Sequence, residues 1–227
     1  IVGTKRGLLL TAAISGFISS TSAIISFAAK SKTKENKNNS LSFAGAAMIS
    51  NAFSFFTLAL LMFVNSKQFF VKGIWSFVIM FIVGIVIGLV YLYKNKNNAK
   101  HDFEVKYEPF SVYPAIKFVL IIVGLTLLIQ VLQLFQVNQY LVIVITALSG
   151  FTGMDAATIA FSNLTRDGVI PMQIGILSLI FANAINFLAK IIYSLIGGSS
   201  QFFRKLTIGL VLSAIIGLLG LLLMNVF

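Results

Sequence analysis

An all-α fold, a polytopic bundle of about seven transmembrane helices, is what this sequence predicts, and three observations predict it. The chain of 227 residues is 58% hydrophobic and only 10% charged, with a mean hydropathy of +0.98. A soluble domain carries about a quarter charged residues, so too little polar surface remains here to cover a water-soluble globule. The apolar residues come in long continuous runs and do not alternate with period two, which argues for helices over strands. Each run is long enough to cross roughly 30 Å of hydrocarbon at about 1.5 Å per residue.

Seven such runs follow one another: Gly7–Ala29, Leu41–Val64, Gly73–Tyr93, Ser111–Leu134, Gln139–Asn163, Pro171–Ile196 and Phe203–Met224. Pro114 and Pro171 sit at helix starts, where a missing N–H removes no intrahelical bond. Trp75, Tyr91 and Tyr93 lie near the ends of the third run, at the depth where amphipathic rings anchor in headgroups. Gln130, Gln133 and Gln136 close the fourth run and read as interfacial. The first run lacks the small-residue cleavage pattern of a signal peptide, although the chain opens on Ile1.

The net charge of +11 is not a nucleic-acid signature, because the basic residues fall in short segments between the apolar runs. That placement marks topology and meets anionic headgroups of the lipid bilayer. If every span crosses, Lys30, Lys32, Lys34, Lys37, Lys94, Lys96, Lys100, Lys106 and Arg166 share one side. Lys5, Arg6, Lys67, Lys72, Arg204 and Lys205 share the other. The positive-inside rule then places the long connections in the cytoplasm of a multi-pass protein of the cell (plasma) membrane. The absence of cysteine excludes disulfides and thiolate metal sites.

Within these runs lies an internal repeat. Ser15-Gly16-Phe17 recurs as Ser149-Gly150-Phe151, and Ser26-Phe27 corresponds to Ala160-Phe161. Asn51-Ala52 with Phe55 recurs as Asn183-Ala184 with Phe187. Gly84 and Gly88 in the third run match Ser213 and Gly217 in the seventh. Residues 7–93 and 139–224 are therefore expected to be two three-helix repeats, joined by a linking helix over 111–134 in one transmembrane domain over 1–227. An even offset of four spans makes the repeats parallel, related by an axis along the membrane normal. A re-entrant segment at the serine and glycine of the first or fifth run would make them an inverted pair. The small-xxx-small spacings read as helix packing, with a dimer interface as the alternative.

The polar residues inside the runs are the candidate site. Asp155 is a carboxylate within an apolar run, where such a group faces a partner or a water-filled cavity. It lies roughly 12 Å below the long-loop face, and Asn183 roughly 16 Å below it, at 1.5 Å per residue. Thr21 and Asn51 are their matches in the first repeat, so the four are expected to form one polar layer. Ser19, Ser20, Ser22, Ser54, Thr158 and Asn186 surround it. Asn183, Asn186 and Lys190 follow i, i+3, i+7 spacing and share a helix face pointing into the bundle.

Two lysines compete as charge partner of Asp155. Lys117 lies at a depth of roughly 9 Å and matches it; Lys190 falls roughly 15 Å from the layer, beyond reach unless a helix is broken. Either lysine can instead snorkel to the headgroups. Oxygen and amide groups with one carboxylate suit a hard cation or a proton relay, and one carboxylate is too few for a divalent-metal site. No metal ligand set, cofactor motif or catalytic signature is found, and His101, in a charged stretch beside Asp102, reads as a solvated loop residue and not as a catalytic base. Two functions follow: a transporter or channel-like protein for a small ion, or a structural or regulatory subunit of a larger membrane complex.

The segments Gly7-Leu8-Leu9-Leu10 and Ser15 through Ser22, Ala44-Gly45-Ala46 with Asn51, Pro114 through Phe118, Ala147 through Phe151, Asp155 through Thr158 and Asn183 through Lys190 span nearly the whole chain. In these residues the sequence resembles the domain of unknown function that follows the MgtC domain in MgtC/SapB-type membrane proteins. The resemblance implies a polytopic domain and, in fused relatives, an upstream MgtC-like domain as partner. It also implies a helix before Gly7 that would correspond to the fourth helix and complete two four-helix repeats. It implies no established transport activity. Homo-oligomers and other membrane subunits are the remaining partners to expect.

Overall fold

The computed structural model describes residues 4–33, 38–94, 123, 124, 127, 131, 139–151 and 153–223. The described residues include α1 (Thr4–Lys32), α2 (Ser40–Asn65), α3 (Lys67–Lys94), α4 (Gln139–Leu148), the 3₁₀ turn Ser149–Phe151, α5 (Met154–Arg166), α6 (Met172–Gly197) and α7 (Ser200–Leu223). Five of them contain segments long and apolar enough to cross a membrane: Arg6–Lys32, Ser40–Asn65, Lys67–Lys94, Met172–Gly197 and Ser200–Gly220. Their outward side chains are bare hydrocarbon, such as Ile18 at 77%, Val64 at 71% and Ile196 at 70% exposure. Water would penalise that surface, and lipid does not.

The helices outrun their apolar stretches. α3 starts at Lys67, six residues before the apolar run at Gly73, and takes in Gln68 and Lys72. Ser66 caps it, its Oγ accepting from the Phe69 amide at 3.2 Å. α5 ends in a Schellman arrangement: Val169 N–H donates to the Leu164 carbonyl and Gly168 N–H to that of Thr165, with Gly168 at φ +71°. Pro171 follows, and its carbonyl accepts from Gly175 N–H as α6 begins.

Two expected spans are not continuous helices. The fifth is α4 and α5 separated by the 3₁₀ turn and Gly153. The first bends at Ser19, whose backbone is extended (φ −167°, ψ 103°). The linking helix expected over 111–134, with Pro114 and Lys117, lies outside the described residues apart from four scattered positions.

The chain divides into two compact units. The first contains the described residues of Ile1–Leu60, Gly73–Phe103 and Phe187–Phe227; the second those of Leu61–Lys72 and Glu104–Asn186. In the first unit small residues set the helix spacing. A Cβ on Gly16 would collide with the Ser50 carbonyl oxygen, so α1 and α2 touch backbone to backbone. Gly45 meets Gly88 across α2 and α3, and Gly84 meets Ala52. Gly217 packs on Met80, and Ser213 Oγ donates to the Met80 carbonyl at 3.2 Å, joining α7 to α3. The small-xxx-small spacings of α3 and α7 thus serve packing within the chain. In the second unit a Cβ on Gly150 would collide with the Ala182 carbonyl oxygen.

Helix direction corrects the sequence reading. Parallel repeats require α2 and α6 to point the same way. Instead Ser199, just after α6, donates from Oγ to Ser40 Oγ at the start of α2, at 2.9 Å. Lys190 reaches Asn51 further along both helices. Within the first unit the end of α6 therefore runs antiparallel to α2.

The Gly16 contact yields a direct test. Gly16→Ala is expected to lower stability by about 1–3 kcal/mol through overpacking, whereas Gly7→Ala, with nothing within 4 Å of its added methyl, is expected to be neutral or slightly stabilising. Thermal unfolding of both variants in detergent measures the difference.

Candidate functional site

Among the described residues, Ser66, Ser199 and Ser19 cap helices with the same geometry, and Ser19 does so in mid-span. Ser66 Oγ accepts from Phe69 N–H, Ser199 Oγ from Phe202 N–H, and Ser19 Oγ from Ser22 N–H at 3.3 Å. In each case the acceptor stands three residues before the donor, as an N-cap does. Ser19 thus ends one half of α1 and starts another, and its extended backbone is the ordinary conformation of an N-cap. Interrupting a helix strips partners from the carbonyls before the break and the amides after it. One freed carbonyl, that of Phe17, accepts from Thr57 Oγ1 on α2 at 3.3 Å.

Lys190 of α6 comes to this break. Its Nζ donates to Ser20 Oγ at 2.9 Å and to Asn51 Oδ1 at 2.6 Å. The Phe187 ring centroid lies 5.8 Å away, within range of a cation–π contact. The three polar residues are buried, with exposures of 2%, 7% and 1%. Such short contacts are those of charge-assisted hydrogen bonds. Asn51 presents its oxygen to the ammonium and leaves its Nδ2 buried with no hydrogen-bond partner.

The sequence reading put Lys190 out of reach of the Asn51 depth. The antiparallel course of α6 is the reason it is not. Counted from the Ser40–Ser199 contact, Asn51 lies eleven residues in and Lys190 nine. That difference is about 3 Å at 1.5 Å per residue, which a lysine side chain covers easily.

The same end of this unit holds a serine cluster that sequence reasoning did not single out. Ser31 Oγ donates to the Ala28 carbonyl and accepts from Ser199 N–H, while Ser40 Oγ contacts the Ser31 carbonyl. Lys32 Nζ donates to the Ile196 carbonyl at 3.4 Å, a favourable place for a cation at a helix C-terminus. Each serine sits at a span end, where solvated serine is ordinary, and only the meeting of three distant segments reveals the cluster.

In the second unit the break at Ser149–Gly153 carries other members of the expected layer. Asn186 Nδ2 donates to the Gly150 carbonyl at 2.9 Å and leaves Oδ1 buried and without a hydrogen-bond partner. Asp155 is half-buried in the first turn of α5, whose N-cap, Gly153, has no side-chain cap bond. A helix N-terminus favours a carboxylate, which eases the burden of placing one in an apolar run. Thr158 is buried, but its Oγ1 donates to Met154 O of its own helix at 2.7 Å.

The expected residues thus distribute as follows. Ser20, Asn51 and Lys190 come together, and Thr21 is half-buried beside Ser20 in the same unit. Asp155, Thr158, Asn183 and Asn186 belong to the other unit. Asn183, Asn186 and Lys190 are each 2% exposed, so the shared face of α6 is an inward one. Lys117, proposed by sequence as the partner of Asp155, lies outside the described residues, as do Gln130, Gln133, Gln136 and His101.

An all-helical membrane protein with interrupted helices and an ionisable group buried at one interruption is the class these features define. Its family is shown by a family model that matches residues 1–198: the chain belongs to the family described as Domain of unknown function (DUF4010). No curated protein and no solved structure matches it.

The Lys190–Asn51 contact predicts coupled energetics. Asn51→Leu and Lys190→Met are each expected to destabilise by about 1–3 kcal/mol, since each strands a buried polar partner. The double variant is expected to lose less than the sum, by a coupling of about 0.5–3 kcal/mol. Denaturation of the four proteins in one detergent reads that difference.

Proposed function

We propose that this protein is a multi-pass transporter of the cell (plasma) membrane that moves a small ion, a cation or a proton, past its interrupted helices. The observation that carries this reading is the break of α1 at Ser19 with the Lys190 ammonium buried against it. Non-helical backbone at membrane depth is tolerated where it is enclosed by protein or lines a cavity. Ionisable groups there mark ion and proton paths by default. Ser20 and Asn51 beside the α1 break, and Asp155 and the Asn186 Oδ1 at the other, are oxygens of the kind that a hard cation or a proton relay uses.

The reading includes an inverted-topology repeat. Supporting it, the breaks at Ser19 and Gly153 each fall four residues after the serine of the shared Ser-Gly-Phe motif. Gly16 abuts the residue before Asn51, and Gly150 abuts the residue before Asn183, each through a carbonyl oxygen. The opposed directions of α2 and α6 fit a pseudo-twofold axis in the membrane plane, and transporters of that design bind their ions at discontinuous helices. The likeness to the domain that follows MgtC in MgtC/SapB-type proteins makes an MgtC-like domain the first partner to seek by co-purification.

Flux in proteoliposomes tests the transport reading. Entry of protons or of sodium, potassium or magnesium is expected with the native chain, and a fall of about tenfold or more, roughly 1.4 kcal/mol in barrier terms, with folded Asp155→Ala or Asn51→Ala. A native chain that passes none of these ions overturns it. Topology is tested separately, because a chain without cysteine accepts single labels cleanly. Thr33→Cys, after α1, and Asp167→Cys, after α5, are expected to react with an impermeant maleimide from opposite faces of the membrane. Labelling from the same face would restore the parallel arrangement.

A further inference from the structure

Three of the groups in contact with the Lys190 Nζ share one kind of chemistry. Ser20 Oγ and Asn51 Oδ1 are neutral oxygens, and Phe187 offers the face of its ring. A hydroxyl, an amide oxygen and an aromatic face are what a single, weakly hydrated positive charge of ammonium size is held by. The amide of Asn51 is also oriented for a cation. With its Oδ1 toward Nζ, its Nδ2 is left buried and unpaired, so the oxygen is turned inward at the expense of the donor. An unpaired buried donor costs about 1–3 kcal/mol, and the charge-assisted contact at 2.6 Å offsets it.

We propose that Ser20, Asn51 and Phe187 form a monovalent-cation site in which the Lys190 ammonium is the resident, covalently tethered cation. Removing the side chain opens the site to a free cation of ammonium or potassium size. The inference concerns binding alone and does not rest on the transport reading, so flux and binding can fail independently.

The test uses Lys190→Ala in the full chain, in detergent, with thermal unfolding as the readout. The truncation removes three methylenes and the ammonium, which is the volume of propylammonium. Lys190→Ala is expected to melt below the native chain. Propylammonium chloride, and more weakly ammonium and potassium chloride, are expected to restore at least half of the lost melting temperature. Tetramethylammonium chloride at equal ionic strength, too bulky and without N–H donors, is expected to restore none. The neutral isostere 1-propanol is also expected to restore none, and Asn51→Leu added to Lys190→Ala is expected to abolish the rescue. Equal rescue by 1-propanol would show simple hole filling, and equal rescue by tetramethylammonium a general salt effect; either overturns the proposal, as does no rescue. If Lys190→Ala does not fold in ordinary buffer, it is purified in propylammonium and in tetramethylammonium chloride side by side. Folded protein from the first alone supports the site, and folded protein from neither overturns it.

Discussion

Backbone amides and carbonyls carried into lipid need partners inside the protein, and the architecture around α1 follows from that requirement. A helix satisfies its own backbone, so an unbroken span makes few demands on its neighbours. α1 is not unbroken. Once it bends at Ser19, amides and carbonyls near the bend lose their helical partners. The Ser19 hydroxyl takes the Ser22 amide, and the Thr57 hydroxyl of α2 takes the Phe17 carbonyl. The second of these bonds needs α2 very close, and Gly16 against the Ser50 carbonyl provides that approach. The interruption and the glycine contact are therefore one device. The second unit uses the same logic with different residues: Gly150 lies against Ala182, and the Asn186 amide serves the Gly150 carbonyl.

The antiparallel course of the end of α6 beside α2 brings a lysine near a span end to Asn51 and Ser20. Ser199 is tied to both Ser31 and Ser40, which fixes the register at one end. From that anchor the two helices count inward together, and Lys190 arrives level with Asn51 and Ser20. Reversing α6 would carry the lysine to the far end of α2. The serine cluster and the buried ammonium thus depend on one another through helix direction, not through any direct contact.

Much of this was legible in the sequence, and the illegible part has a definite physical cause. Apolar runs marked five of the described helices, because length and hydropathy are local properties. The Ser-Gly-Phe motif recurs at Gly16 and Gly150, and each of these glycines lies against a backbone carbonyl of another helix. A break at the serine and glycine of the first or fifth run stood only as the alternative, and its place at Ser19 was not marked, since serine is tolerated within a membrane helix and becomes a cap only when the chain opens. Its signal was present in the run Ser19-Ser20-Thr21-Ser22, four small hydroxyl residues that compete with the helix for backbone bonds. The partner of Lys190 was misjudged for a global reason. Depth from residue counting is sound only once each helix has a direction, and direction is inherited from every crossing before it. An error in that chain of crossings placed Lys190 roughly 15 Å from the layer, whereas it meets Asn51 directly and is buried as its inward face requires.

The placement of Lys190 is hard to account for by stability alone. Ser20 opens the second half of α1, so the ammonium sits near a helix N-terminus, where a cation is disfavoured by about 0.3–1 kcal/mol. Asn51 additionally forgoes a hydrogen bond at Nδ2. An apolar residue at position 190, with Leu or Val in place of Asn51, would remove both penalties, and buried ionic groups replaced by well-packed apolar ones are often neutral or stabilising. The same reasoning applies to the bend itself, since an unbroken α1 would need neither the Ser19 cap nor the Thr57 bond. Three separate features (the bend, the ammonium and the unpaired amide) each work against stability and converge on one point of the chain. That convergence sets the region of Ser19 and Lys190 apart from the glycine contacts of α1, α2 and α3, whose close approach holds the helices together.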